Sequence, residues 1–157
     1  MSKPMVGKKA PDFELPATRE QNVKLSKLKG KDVVLYFYPR DNTSGCTLEG
    51  QDFRDNYSKF KRRDTLVFGI SRDSLKSHEN FRTKQKFPFD LCSDTDETVC
   101  KLYDVIKEKN MYGRKVLGIE RSTFLIDTKG VLVKEWRKVS VKGHVAEVLD
   151  AVKALGK

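Results

Sequence analysis

The stretch Val33-Val-Leu-Tyr-Phe-Tyr-Pro39-Arg-Asp-Asn-Thr43-Ser-Gly-Cys46 decides the fold. Its first six residues are apolar or aromatic without alternation, the pattern of a strand buried on both faces of a sheet, and Pro39 ends the run. A polar loop follows. A helix is predicted from Thr43 or Ser44, carrying Phe53, Tyr57 and Phe60 on one face and finishing in Lys61-Arg-Arg63.

Outward from this unit the alternation of strand and helix continues. Thr65-Leu-Val-Phe-Gly-Ile70 is a second buried strand, and Ser71-Arg-Asp-Ser-Leu75 leads into a helix ending near Lys86. Phe87-Pro-Phe-Asp-Leu-Cys92 is predicted as a short strand and about Thr95 to Tyr103 as a helix. Arg121 to Asp127 and Val131 to Trp136, joined by Thr128-Lys-Gly130, form a hairpin; a last helix follows Gly143, with Val145, Val148, Leu149, Val152 and Leu155 on one face. Towards the amino terminus, Phe13-Glu-Leu-Pro16 and Val23-Lys-Leu25 flank a polar stretch and predict another short hairpin. The order gives an α/β sheet with helices packed on both sides. No repeat or linker interrupts the pattern, so residues 1–157 are expected to form one domain.

The charge of +10, from 32 Lys and Arg against 22 Asp and Glu, invites a nucleic-acid or membrane-surface reading. The basic residues are interleaved with acids along the whole chain, so the charge reads as a solvated surface and no nucleic-acid partner is expected. The run Lys59-Phe-Lys-Arg-Arg63 is assigned to a helix end, where cations complement the dipole, in preference to a phosphate-binding patch. No run of 18 apolar residues and no amino-terminal stretch of signal-peptide length occurs, which predicts a cytoplasmic protein with no membrane contact. Cys46, Cys92 and Cys100 are odd in number and widely spaced, unlike a disulfide framework or a paired zinc motif, and favour a reducing compartment. His78 and His144 have no metal-ligand spacing and are expected at the surface; no metal and no cofactor is anticipated.

Cys46 falls in the first helical turn after a buried strand, where unpaired N–H groups and the helix dipole favour a negative sulfur. Shifting a thiol from about 8.5 to about 6 raises its thiolate fraction about 30-fold, which is only about 2 kcal/mol of barrier. A fast cysteine enzyme therefore also needs placed donors. Thr43, one turn away, has a hydroxyl to offer, and a cation would complete the set. The competing reading makes Cys46 a small inert residue and Thr43 a cap. With Thr43 where a C-x-x-C motif has its first cysteine, dithiol chemistry within the motif is unavailable.

Tyr36-Phe-Tyr-Pro39-Arg-Asp-Asn-Thr43-Ser-Gly-Cys46-Thr, followed by Phe53-Arg-Asp55, resembles the P-x-x-x-T-x-x-C signature of peroxiredoxins, and most closely their bacterioferritin comigratory protein, or peroxiredoxin Q, branch. Gly69-Ile-Ser-Arg-Asp-Ser74, Lys107-Glu-Lys-Asn-Met-Tyr-Gly113 and Gly118-Ile-Glu-Arg121-Ser-Thr-Phe124 extend the likeness from about Pro11 to the last helix. The resemblance implies a thioredoxin-like fold, a central mixed sheet flanked by helices with an amino-terminal hairpin extension. It also implies reduction of hydrogen peroxide or organic hydroperoxides by a monomer that draws electrons from thioredoxin, or from glutaredoxin with glutathione. By the same resemblance Cys46 is the peroxidatic nucleophile, Thr43 bonds the peroxide, Arg121 lowers the Cys46 pKa and stabilises charge on the breaking O–O bond, and Pro39 walls the pocket.

Members of this branch usually carry a resolving cysteine five residues after the peroxidatic one or on the next helix, and here those positions hold Gln51 and Arg82. A one-cysteine mechanism is expected, with Cys92 and Cys100 as buried structural thiols. The alternatives are resolution by Cys92 or Cys100, a thiol-disulfide exchange protein, and a basic nucleic-acid-binding module.

Overall fold

The computed structural model describes residues 4–155; residues 1–3, where the reading of the amino terminus starts, and 156–157, the last of the expected 1–157 domain, lie outside the described residues. In chain order the elements are β1 (Glu14–Ala17), β2 (Gln21–Lys24), β3 (Asp32–Phe37), α1 (Ser44–Arg62), β4 (Thr65–Ser71), α2 (Leu75–Gln85) and β5 (Asp90–Ser93). There follow α3 (Thr98–Leu102), β6 (Ile106–Met111), β7 (Arg114–Ile119), β8 (Ser122–Ile126), β9 (Leu132–Trp136) and α4 (His144–Lys153). Seven strands form one sheet in the order β2-β1-β5-β4-β3-β8-β9. β3, β4 and β5 run parallel, while β8, β9 and the β1–β2 hairpin are antiparallel to their neighbours. The mixed α/β sheet and the amino-terminal hairpin extension agree with the expected class.

Every residue of β3 is buried, Val33 to Phe37 as their unbroken apolar run requires and Asp32 beside them. Val33, Leu35 and Phe37 point into one core with Phe68, Ile70 and Phe124, and Val34 and Tyr36 into another with Val67, Leu91 and Leu125. The second core takes all three long helices through Phe53 and Phe60 of α1, Phe81 of α2 and Val145, Val148 and Val152 of α4. Tyr36 stacks on Phe53 there, 4.6 Å between centroids. The opposite core is closed by the short α3, through Val99 and Cys100, with Phe13, Leu25 and Tyr103. Helices thus lie on both faces as expected, but unequally: the three long ones share one face and, among the described residues, the short α3 covers the other. Helical periodicity marks which stripe is apolar but carries no information about the side of the sheet it meets.

Two boundaries also move. β5 begins at Asp90, where pairing with β4 starts at Phe68; Phe87 and Phe89 precede it in a loop and are buried in the long-helix core. α3 begins at Thr98, where the Asp94 carboxylate accepts from the Val99 and Cys100 main-chain N–H groups at 3.2 and 2.7 Å. The β6–β7 ribbon lies outside the seven-stranded sheet. Among the described residues no helix is long and apolar enough to cross a membrane.

The sheet brings the site together. Phe37 of β3 pairs with Ile70 of β4 and with Ser122 of β8, so the loop after β3, the loop after β4 and the residue before β8 converge at one end.

Candidate active site

Cys46 is the third residue of α1 and is buried, with 1% relative exposure. N–H groups of a first helical turn lack intrahelical acceptors and present the positive end of the dipole. Arg121, just before β8, reaches the same point. Its Nη2 donates to Cys46 Sγ at 3.4 Å and its Nη1 to Glu49 Oε1 at 2.7 Å. Gly45 makes room for it, since a Cβ at that position would stand 3.0 Å from Nη2. The sulfur therefore faces two sources of positive potential.

Glu49 was not among the residues singled out from the sequence, although its i+3 spacing from Cys46 puts it on the same helix face. Its side chain is fully buried, and Oε2 has no hydrogen-bond partner. Burial pushes the carboxyl up to about 7, outweighing the attraction and hydrogen bond of Arg121. Burial opposes the Arg121 charge as well, but Glu49 and Cys46 more than offset it and its pKa is raised.

Thr43 immediately precedes α1 and is exposed. Its Oγ1 donates to the Arg40 carbonyl at 2.9 Å, which directs the hydroxyl hydrogen away and leaves the oxygen lone pairs for a donor on a ligand. Pro39 is half-buried and lines an open depression of about 490 Å³ with Arg40, Arg72, Asp73, Thr95 and Glu97. Of the four site residues expected from the sequence, Cys46 and Arg121 are in direct contact, while Thr43 stands at the helix start and Pro39 in the adjoining wall.

Both histidines correct the surface expectation. His144 is 4% exposed, with Nε2 2.7 Å from the Thr123 hydroxyl; burial first, then the charge of Arg121, pushes its pKa down to about 4. His78 is fully buried on α2, with Nδ1 2.7 Å from Asp41 Oδ2. Nothing near either histidine in sequence signals these partners, which lie 21 and 37 residues away. Asp41, Asp73 and His78 could each offer one ligand atom to a metal ion, all within 4.8 Å of one another. Asp41 Oδ1, Asp41 Oδ2 and Asp73 Oδ2, however, already accept from Tyr38, Ser77 and Ser71 respectively.

Gln51 and Arg82, at the two usual resolving positions, make polar contacts: Gln51 Nε2 donates to Gln85 Oε1 at 2.9 Å, and Arg82 pairs with Glu79. All three cysteines are free thiols. Cys46 belongs to the core on the long-helix face of the sheet, whereas Cys92 and Cys100 belong to the core on the opposite face. Burial pushes both of the latter thiols far up in pKa.

Residues 6–135 match the AhpC/TSA family. The chain is 52% identical over 144 residues to a putative peroxiredoxin bcp of Coxiella burnetii, covering 92% of this chain and 95% of that one. It is 50% identical over 148 residues to peroxiredoxin Bcp of Bacillus subtilis, covering 94% of each. Among solved structures, peroxiredoxin Q of Xanthomonas campestris superposes with a TM-score of 0.88 at 50% identity over 92% of each chain. A mutant of PrxQ from Xylella fastidiosa superposes with a TM-score of 0.93 at 43% identity over the whole of both chains. One study of the Xanthomonas bacterioferritin comigratory protein concerns its alkyl peroxide reduction activity.

Proposed function

The chain belongs to the AhpC/TSA family, with the Bcp and peroxiredoxin Q proteins as relatives, and is a thiol-dependent peroxidase of thioredoxin-like fold; within that activity we propose that Cys46 is the peroxidatic nucleophile and works as a one-cysteine centre. The Cys46 sulfur attacks one peroxide oxygen. An S–O bond forms as the O–O bond breaks, the sulfur is oxidised to a sulfenic acid, and the departing oxygen leaves as water or an alcohol after taking a proton. Arg121 stabilises the charge that develops across the breaking bond, from the distance it keeps to the sulfur. Thr43 accepts a hydrogen bond from the peroxide hydroxyl, and Pro39 restricts access to the sulfenic acid.

The observation that carries the one-cysteine reading is the placement of Cys92 and Cys100 in the core across the sheet from Cys46. A disulfide needs Cα atoms within about 7 Å and converging Cβ vectors. The sheet lies between Cys46 and either one, so a disulfide would need local unfolding, and an external thiol is the simpler reductant. It condenses with the sulfenic acid, releasing water and leaving a mixed disulfide that a second thiol opens. Thioredoxin, or glutaredoxin with glutathione, fits this role. The substrates are hydrogen peroxide and organic hydroperoxides, and residues 1–157 act as one cytoplasmic, monomeric domain.

Peroxide consumption in the presence of a thiol reductant tests the assignment. Cys46→Ser is expected to abolish it, and retained activity would remove Cys46 from the mechanism.

A further inference from the structure

Asp41 lies two residues before Thr43 and five before Cys46, in the loop that joins β3 to α1. It is buried, and its carboxylate accepts from three directions. Tyr38 Oη donates to Oδ1 at 2.6 Å, Ser77 Oγ donates to Oδ2 at 2.8 Å, and His78 Nδ1 lies 2.7 Å from Oδ2. The Asp41 main-chain N–H donates to Asp73 Oδ2 at 2.9 Å, and Ser71 Oγ donates to that same oxygen at 2.6 Å. The loop is thereby tied to the ends of β3 and β4 and to the first turn of α2.

His78 adds a further tie. Its Nε2 stands 2.9 Å from the Cys92 carbonyl oxygen, so both ring nitrogens face acceptors, a carboxylate on one side and a main-chain carbonyl on the other. A neutral imidazole has one N–H and would set a lone pair against one of these oxygens; a ring protonated at both nitrogens donates to both and balances the Asp41 charge. Asn42 adopts φ +64, a left-handed conformation uncommon for a residue with a side chain.

We infer that Asp41 and His78 form a buried ion pair that positions the loop from Pro39 to Thr43, and through it the Thr43 oxygen and the start of the Cys46 helix, for attack on the peroxide. His78 and Asp41 are positioning residues; neither touches the reacting atoms. The inference rests on Cys46 as the nucleophile. Breaking either partner leaves the other charge buried without its mate and releases the same loop. Misplacing reacting groups by about 1 Å costs on the order of 10²-fold in rate.

The test measures kcat/KM for peroxide in His78→Gln, Asp41→Asn and the double variant, each with native near-ultraviolet circular dichroism. Each single change is expected to lower kcat/KM about 10- to 100-fold, and the double variant to be no slower than the worse single, because both ends hold one loop. Val152→Ala, a core truncation at the far end of α4, serves as the stability control. It should lower the melting temperature with kcat/KM kept within about twofold, as a merely structural loss would. Folded His78→Gln with native kcat/KM overturns the inference, and so do losses that multiply in the double variant. Should those variants not fold, Ser77→Ala removes one hydroxyl from Asp41 and is expected to lower kcat/KM about threefold; an unchanged rate there overturns it equally. Activity surviving in Cys46→Ser would instead sink the assignment of the nucleophile.

Discussion

Arg121 and Cys46, 75 residues apart in sequence, meet at the end of the sheet with Nη2 of the guanidinium 3.4 Å from the sulfur. The other arm of that guanidinium is held by Glu49, so the cation at the sulfur is fixed by a residue on the same helix as the sulfur itself. A single fork serves two acceptors, which only the planar guanidinium does well.

Replacing Arg121 by Ala is therefore expected to lower kcat/KM for peroxide by about 10²- to 10³-fold, the cost typical of losing one placed donor to a developing charge. Arg121→Lys should recover only part of it, since an ammonium cannot bond Glu49 and the sulfur in the same geometry. Competition kinetics against a peroxide-reactive reference enzyme measure both. An Ala variant within tenfold of the native rate would contradict the role.

Gly45→Ala separates activity from stability. The new Cβ would press on Arg121 Nη2 at 3.0 Å, while the helix gains up to about 1 kcal/mol from the propensity of Ala over Gly. The expected protein is at least as stable as the native one and about tenfold slower with peroxide, as read by chemical unfolding and initial rates.

Glu49 makes stability depend on pH near neutrality. Its folded pKa of about 7 lies above the ordinary 4.5, so the folded state holds the extra proton between those values. Its contribution is fully present below about pH 4.5 and is lost as pH rises through about 7. Glu49→Gln, neutral throughout, should gain stability relative to the native protein between pH 5 and pH 8.5 in urea titrations. An equal difference at both pH values would contradict this.

His144 acts with the opposite sign. Its folded pKa of about 4 lies below the ordinary 6.5, so the unfolded chain takes up the proton first and stability is lost as pH falls from about 6.5 towards 4. Over that interval His144→Gln should flatten the fall in melting temperature, and an unchanged slope would contradict the assignment.

The chain around Cys46 was legible because local signals agree there: an unbroken buried strand, a terminating Pro39 and a helix with Phe53 and Phe60 on its inner face. The β6–β7 ribbon was not, since Glu108, Arg114, Lys115, Val116 and Leu117 are exposed and show no buried alternation. Its one signal was the turn at Tyr112-Gly113, where both residues have positive φ. Arg121 stood out only through family resemblance, because a long-range contact leaves no trace in spacing. His78 and His144 failed for the same reason, their partners Asp41 and Thr123 lying on other elements. Glu49 was within reach of helical periodicity, but burial without a second partner is a property of the packed state.

The one-cysteine mechanism is tested most directly by oxidising the reduced protein with one equivalent of peroxide and mapping its peptides under non-reducing conditions. The structure predicts a Cys46 sulfenic acid that an added thiol converts to a mixed disulfide, with Cys92 and Cys100 still reduced. A Cys46–Cys92 or Cys46–Cys100 disulfide, formed as fast as peroxide is consumed, would contradict it.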